Sequence, residues 1–185
     1  MIDRWSKKIE AVTTDFITSF GGLNFQQINQ KPDSNTWSIG QIINHLIITN
    51  ESYYPVIESV QQGSYKIPLI GKIGFMVDFL GNFVLKTVQP DAKRKSKTFK
   101  IWEPSSSDIR EDIIERFKNH QSDLKKVISG SDDLLERKTV ISSPVNRNIV
   151  YTLETAFDIL VAHEQRHYNQ AERLLSNFNF KQDWK

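Results

Sequence analysis

The chain has 185 residues, of which 38% are hydrophobic and 25% are charged, and its formal net charge is +2. This size and composition fit one globular domain with a full hydrophobic core, so we expect a single domain over residues 1–185. Basic and acidic residues are interspersed, which argues against a nucleic-acid partner. The absence of cysteine excludes a disulfide scaffold, a thiolate metal site and a cysteine nucleophile.

The chain shows neither a signal peptide nor a convincing membrane span. Residues 1–8 become amphipathic at once and lack the long apolar stretch of a signal peptide, so we expect a cytoplasmic protein. The least polar segment, residues 67–85, is interrupted by Pro68, Lys72, Asp78 and Asn82. It is too polar for a transmembrane helix, and we expect no stable membrane association.

The first part of the chain predicts two amphipathic helices. Residues 3–20 place apolar side chains at three- and four-residue spacing, and Gly21 then ends the pattern. Ser38 is expected to cap a second helix, and Gln41 completes a capping box three positions later. We predict that this helix runs to about residue 62.

The middle of the chain is less regular. Residues 67–88 fit a further helix, although three glycines weaken the prediction. Residues 90–104 predict a loop, in which residues 98–102 alternate like a brief strand. We therefore expect an irregular insertion between the second and third long helices.

Two long helices are predicted in the last part. Ser107 is expected to cap the third, which runs to about residue 129. After turn-rich residues 134–150, Thr152 is expected to cap the last helix, which reaches about residue 177. Four long amphipathic helices without a set of strands predict an all-α fold, a four-helix bundle.

The histidines carry the strongest functional signal. His163 and His167 lie four residues apart on the last helix, within or beside its apolar arc, so both should face the core. A single inward histidine is usually an ordinary core residue, but two adjacent buried imidazoles leave several nitrogens in need of partners. His45 lies at the flank of the apolar arc of the second helix. If these helices are neighbours, the three histidines converge as metal ligands and leave coordination positions open, as in a catalytic site.

Two further features limit this interpretation. His120 has no partner at ligand spacing and is interpreted as a surface or packing residue. Residues 163–167 also match the zinc-protease pattern H-E-x-x-H, in which Glu164 would be the general base. The residues that extend this pattern in metzincins are absent, and Glu172, the only glutamate after His167, lies on the same helix. A protease is therefore disfavoured.

Residues 37–46 (WSIGQIINHL) and residues 163–170 (HEQRHYNQ) together resemble the DinB/YfiT-like metalloenzyme superfamily. The resemblance covers almost the whole chain and implies an up-down-down-up bundle, often a homodimer. It also implies that zinc, nickel or iron is bound by His45, His163 and His167. Relatives include transferases that use bacillithiol, mycothiol or glutathione, and maleylpyruvate isomerase.

These expectations lead to one preferred function and two alternatives. A divalent cation with an open position favours the thiolate form of a small cofactor thiol, which predicts an S-transferase acting on a small-molecule substrate. The same site with a bound water would predict a hydrolase. Glu164 is a weaker catalytic candidate, as a proton acceptor or as a residue that supports His163. The second alternative is a non-catalytic module that docks on membranes through residues 67–85 and the basic run that follows. We favour instead that residues 67–85 pack over the bundle or at a dimer interface.

Overall fold

The computed structural model describes residues 2–92, 98–105 and 108–178, and most of these residues are helical. The helices are α1 (Asp3–Phe20), α2 (Phe25–Asn29), α3 (Ile39–Glu51), α4 (Tyr54–Gln61), α5 (Gly74–Val88), α6 (Ile113–Ser129), α7 (Asp132–Glu136) and α8 (Leu153–Asn177). Strands β1 (Val140–Ser143) and β2 (Asn146–Thr152) form an antiparallel hairpin. This mostly helical structure is consistent with the predicted all-α class.

The four long helices α1, α3, α6 and α8 pack around a shared core. Helix α1 contacts α6 and α8, and α3 contacts the same two helices. The apolar core falls into two clusters, one that includes Trp5 and Phe157 and one that includes Phe16 and Phe117. Each amphipathic stripe is therefore buried against two neighbours, which is how most helices in proteins are stabilised.

Buried polar residues separate the two clusters along three of these helices. On α8, cluster residues 153–161 are followed by polar residues and then by cluster residues 171–175. We call this set the polar layer; it comprises His45, Asn50, His120, Gln121, Glu164 and His167. Because buried polar groups need partners, this layer constrains how the helices face one another.

The second predicted helix is interrupted. The capping box of Ser38 and Gln41 is present, but α3 ends at Glu51 and α4 starts at Tyr54, so a single helix to residue 62 was wrong. Pro55 gives the reason, because it has no backbone N–H for the carbonyl of Glu51 and its ring crowds that turn.

The third long helix begins later than predicted. Helix α6 starts at Ile113, and Ser107 lies outside the described residues. The Asn29 side chain donates to the carbonyl of Ile109 at 2.8 Å and accepts from its N–H at 2.7 Å. These bonds occupy the backbone groups of Ile109, so its buried side chain contributes to the core from outside the helix.

The prediction of a brief strand over residues 98–102 was wrong. These residues contain a 3₁₀ turn (Lys100–Trp102), and among the described residues β1 and β2 pair only with each other. Turn-rich residues 134–150 contain part of α7 and most of the hairpin, which the sequence did not indicate.

The α8 prediction is confirmed, since the Thr152 hydroxyl accepts from the N–H of Thr155 at 3.1 Å.

Helix α5 packs on the hairpin and on α8 at Gly81. It follows a 3₁₀ turn (Leu69–Lys72) and therefore starts later than the predicted residue 67. A Cβ atom at Gly81 would lie 3.0 Å from Cβ of Tyr151 and 3.1 Å from Cγ2 of Thr155. Glycine thus allows this close approach, although it weakens the helix itself.

Within the part of the chain that the structure describes, no helix has both the length and the hydrophobicity to cross a membrane.

We expect Gly81→Ala to destabilise the protein by about 1–3 kcal/mol, because the added methyl group must push α5 away from two packed neighbours. Urea denaturation followed by circular dichroism measures the change. Gly74→Ala is the matched control, since nothing lies within 4 Å of a Cβ atom there. Equal losses of stability in the two variants would contradict the close-packing explanation.

Candidate metal centre

Three histidines meet between α3 and α8. Nε2 of His163 lies 3.3 Å from Nε2 of His45 and 3.0 Å from Nε2 of His167. The three side chains place one nitrogen each within 4.8 Å of one another. The structure thus brings together the three residues that the sequence predicted as metal ligands.

A backbone carbonyl orients the ring of His45. Its Nδ1 lies 2.6 Å from the carbonyl oxygen of Trp102. Because a carbonyl only accepts, Nδ1 carries the proton and the lone pair of Nε2 points toward the other histidines. The Trp37 ring packs against His45 at 4.9 Å between centroids and stacks near His167 at 6.4 Å. A hydrogen bond from one ring nitrogen to a carbonyl, as His45 makes to Trp102, is the usual way in which proteins orient a histidine toward a metal.

Burial keeps these imidazoles neutral. It lowers the pKa of His45, while the hydrogen bond to Trp102 partly offsets the effect. The pKa of His167 is lowered to about 3, mainly by burial. Burial is also the main reason why the pKa of His163 lies well below its ordinary value. Neutral imidazole is the form that coordinates a metal.

The nitrogen positions fit a metal better than a set of hydrogen bonds. Nε2 of His163 carries at most one proton, so it can donate to only one of its two close neighbours. Because Nε2 of His45 carries no proton and each ring nitrogen either donates or accepts, the other contact is left without a hydrogen bond. Tetrahedral coordination with Zn–N bonds of about 2.0–2.1 Å places ligand nitrogens roughly 3.3 Å apart. The two observed separations are close to this value, and an all-imidazole set suits zinc, nickel or iron.

Glu164 lies in the polar layer with a different set of partners. Its Oε1 accepts hydrogen bonds from Asn50 Nδ2 at 2.7 Å and from Gln121 Nε2 at 2.8 Å. Burial raises the pKa of Glu164 to about 7, although both hydrogen bonds lower it. Its side chain therefore ties α8 to α3 and α6.

His120 is a buried packing residue rather than a surface residue. Its Nε2 lies 3.1 Å from Nδ2 of Asn50, and its ring stacks on Tyr54. Burial lowers its pKa to about 4, so it is neutral. Among the described residues, the three converging histidines form the only group with metal-ligand geometry, and His120 is not part of it.

Sequence reasoning missed the groups that support the site. The contact of Trp102 with His45 is made by a backbone oxygen, which leaves no side-chain pattern in the sequence. Asn50 and Gln121 lie on helices whose relative position is a tertiary property. Only Trp37 was within a recognised pattern, directly before the capping box of α3.

Ionisation of Glu164 should reduce stability as the pH rises. Its proton is held up to about pH 7 in the folded protein but lost near its ordinary value of 4.5 in the unfolded chain. The folded state therefore loses stability between these values, by roughly 3 kcal/mol in total. In metal-free protein, we expect the stability of Glu164→Gln relative to wild type to increase from pH 5 to pH 8, as measured by urea denaturation.

Wild type and Glu164→Gln contain the same histidines, so the pH dependence of the histidines cancels in the difference in stability between the two proteins. Glu172→Gln is the matched control, since Glu172 is an exposed residue of the same helix. A pH-independent difference between Glu164→Gln and wild type would show that Glu164 does not titrate in this range.

Comparison with known proteins places the chain in a family. The model of the DinB superfamily matches residues 8–171, which include all three converging histidines. No curated protein and no solved structure was found to match the chain. Since the family match covers most of the sequence, the chain belongs to the DinB superfamily.

Proposed function

We propose that this protein is a metal-dependent S-transferase that joins a small cofactor thiol to an electrophilic small molecule. The observation that carries the proposal is the convergence of His45, His163 and His167 with nitrogens within 4.8 Å of one another. Zinc, nickel or iron would supply a positive charge that favours thiolate over thiol. The chain contains no cysteine, so the nucleophilic sulfur must come from a cofactor.

In this proposal the protein holds the metal and positions the reactants. The sulfur forms a bond to the electrophilic carbon, its proton passes to solvent, and the leaving group departs with its bonding electrons. The carbonyl of Trp102 holds His45 in place, and the Trp37 ring covers the histidines. Glu164 is assigned a positioning role, because its Oε1 is already bound by two amide groups.

We also propose the up-down-down-up order of the four long helices and a homodimer. The exposed face of α5 supports the dimer, because Phe75, Phe79 and Phe83 follow one another at four-residue spacing and are 73%, 63% and 61% exposed. A contiguous apolar surface of this kind is typical of an interface. The basic run over residues 93–97, which entered the membrane alternative, lies outside the described residues.

The metal site predicts about one metal ion per chain in protein purified without a histidine tag. Elemental analysis should show that His163→Ala loses this metal, because two imidazoles cannot replace the three-nitrogen set. His120→Gln is the matched control, since it changes a buried histidine outside the cluster. Equal metal contents in wild type and His163→Ala would exclude the site.

The transferase proposal predicts conjugation of a low-molecular-weight thiol to monochlorobimane, with release of chloride. A panel of bacillithiol, mycothiol, glutathione and cysteine is tested with metal-loaded protein by fluorescence. We expect His45→Ala and His167→Ala to reduce the rate to that of metal-free protein, and His120→Gln to retain it.

If no thiol in the panel reacts faster than in the metal-free control, the transferase proposal fails. Cleavage of an ester or amide panel that both histidine variants abolish would support the hydrolase in its place.

The dimer predicts that Phe79→Glu forms monomers, because a carboxylate would be buried in the interface. Light scattering coupled to size-exclusion chromatography measures the mass, and Lys118→Glu, an exposed change on α6, is the control. A monomeric wild-type protein that co-sediments with anionic phosphatidylglycerol vesicles would instead support the membrane alternative.

A further inference from the structure

A small apolar cavity lies directly beside the histidine cluster. It has a volume of about 90 Å³, and His163, Thr49 and Trp102 form the part of its wall nearest the metal centre. Most of the remaining wall is apolar and comes from α5, β2 and α8: Val84, Val88, Ile149, Ile159 and Leu160. Among the described residues that line it, none is Asp, Glu, Lys or Arg. A charged ligand group would therefore enter without a counter-charge, at a large cost in desolvation.

A chain of two hydroxyl groups adds a polar point to this apolar wall. The hydroxyls of Tyr53 and Tyr151 are 2.8 Å apart. Both residues are buried and line the cavity. Two hydroxyls joined by one hydrogen bond use one of their two protons. One proton is therefore left to donate to a partner.

The cavity wall is held by contacts that do not depend on a ligand. The close approach at Gly81 fixes α5 against Tyr151. The Trp102 indole donates to Ser52 Oγ at 3.0 Å, which anchors the wall next to His45. Phe99 packs edge-on against Trp102 and is 49% exposed, so it lies where the cavity meets solvent. Ligand sites are usually preformed apolar cavities with a few fixed polar groups, and this cavity has those properties.

We propose that this cavity binds the compact apolar part of an uncharged substrate that carries one hydrogen-bond acceptor, such as a carbonyl oxygen. The apolar lining excludes charged groups, and the hydroxyl chain of Tyr53 and Tyr151 donates to the acceptor. A cavity of about 150 Å³ holds the six heavy atoms of benzene, so this space encloses about four, and a small ring that enters it extends past Phe99 toward solvent. That the ligand is a substrate rests on the proposed transferase, because His163 belongs both to the cavity wall and to the metal centre. Binding of the ligand to the cavity does not depend on that function.

Three probes with six heavy atoms each test this proposal: cyclopentanone, methylcyclopentane and protonated cyclopentylamine. Their dissociation constants are measured by NMR titration of metal-free and zinc-loaded protein. We expect cyclopentanone to bind in both forms, methylcyclopentane to bind about fivefold more weakly because one hydrogen bond is lost, and the ammonium ion to show no saturation. Tighter binding of the ammonium ion than of the ketone would overturn the proposal.

Variants locate the binding site. Val88→Phe and Val84→Phe place a larger side chain at two partly buried positions of the wall, and each should abolish cyclopentanone binding while the protein keeps its helical circular dichroism. Using two filling variants guards against one that does not fold. Unchanged binding in both folded variants would overturn the proposal.

The hydroxyl chain is tested by the double variant Tyr53→Phe/Tyr151→Phe, which removes both partners together and so leaves neither phenol orphaned. We expect the preference for cyclopentanone over methylcyclopentane to disappear in this variant and to persist in Tyr65→Phe. Tyr65 is a suitable control because its hydroxyl bonds to Ser142 of β1 and Tyr65 does not line this cavity. A preserved preference in the double variant would exclude the hydroxyl chain as the donor.

Cobalt-substituted protein tests whether the bound ketone lies close to the metal centre. Pseudocontact shifts of the cyclopentanone protons are expected, and their absence in a protein that binds both cobalt and the ketone would place the ligand elsewhere. This result is independent of turnover. If thiol conjugation fails while the ketone binds next to the metal, only the proposed function is lost; if conjugation succeeds but the filling variants bind the ketone normally, only the cavity proposal is lost.

Discussion

The polar layer between the two apolar clusters is the constraint on which the rest of this structure depends. Buried imidazole, amide and carboxyl groups cost free energy unless each finds a partner. The side-chain amides of Asn50 and Gln121 both donate to Oε1 of Glu164, which joins three helices. The converging histidines cannot satisfy both of their nitrogen–nitrogen contacts in this way, because only one of the two can be a hydrogen bond. A divalent cation held between them would use the lone pairs of all three.

This requirement links the irregular parts of the chain to the site. Pro55 ends the helix that carries His45 and Asn50, and Tyr53, in the break before the next helix, places its hydroxyl against Tyr151 of the hairpin. The 3₁₀ turn at Trp102 returns a backbone carbonyl to His45. The segment between the second and third long helices thus supplies contacts that the four long helices lack. Its role explains why a simple bundle would not build this site.

Helix α5 connects the metal centre to its surroundings. On its inner side, Gly81 permits close packing, and Val84 and Val88 face the cavity beside His163. Arg166 of α8 donates to the carbonyls of Gln89 and Ala92, which fixes the segment that follows α5. On its outer side, three phenylalanines are exposed. A second subunit on that outer face would therefore touch the same helix that forms the wall of the cavity.

The sequence by itself determined the long helices, the caps at Ser38 and Thr152 and the three metal-ligand candidates. These features depend on helical periodicity and on hydrogen bonds over three or four residues, which are local. Pro55 also marks the break after α3 locally, because it lacks a backbone N–H. Only the tertiary structure decided the late start of α6 and the hairpin. It also decided the carbonyl that orients His45, the partners of Glu164 and the cavity at His163. Each of these arises where groups far apart in the chain compete for the same hydrogen bond or the same space, and no local pattern records that competition.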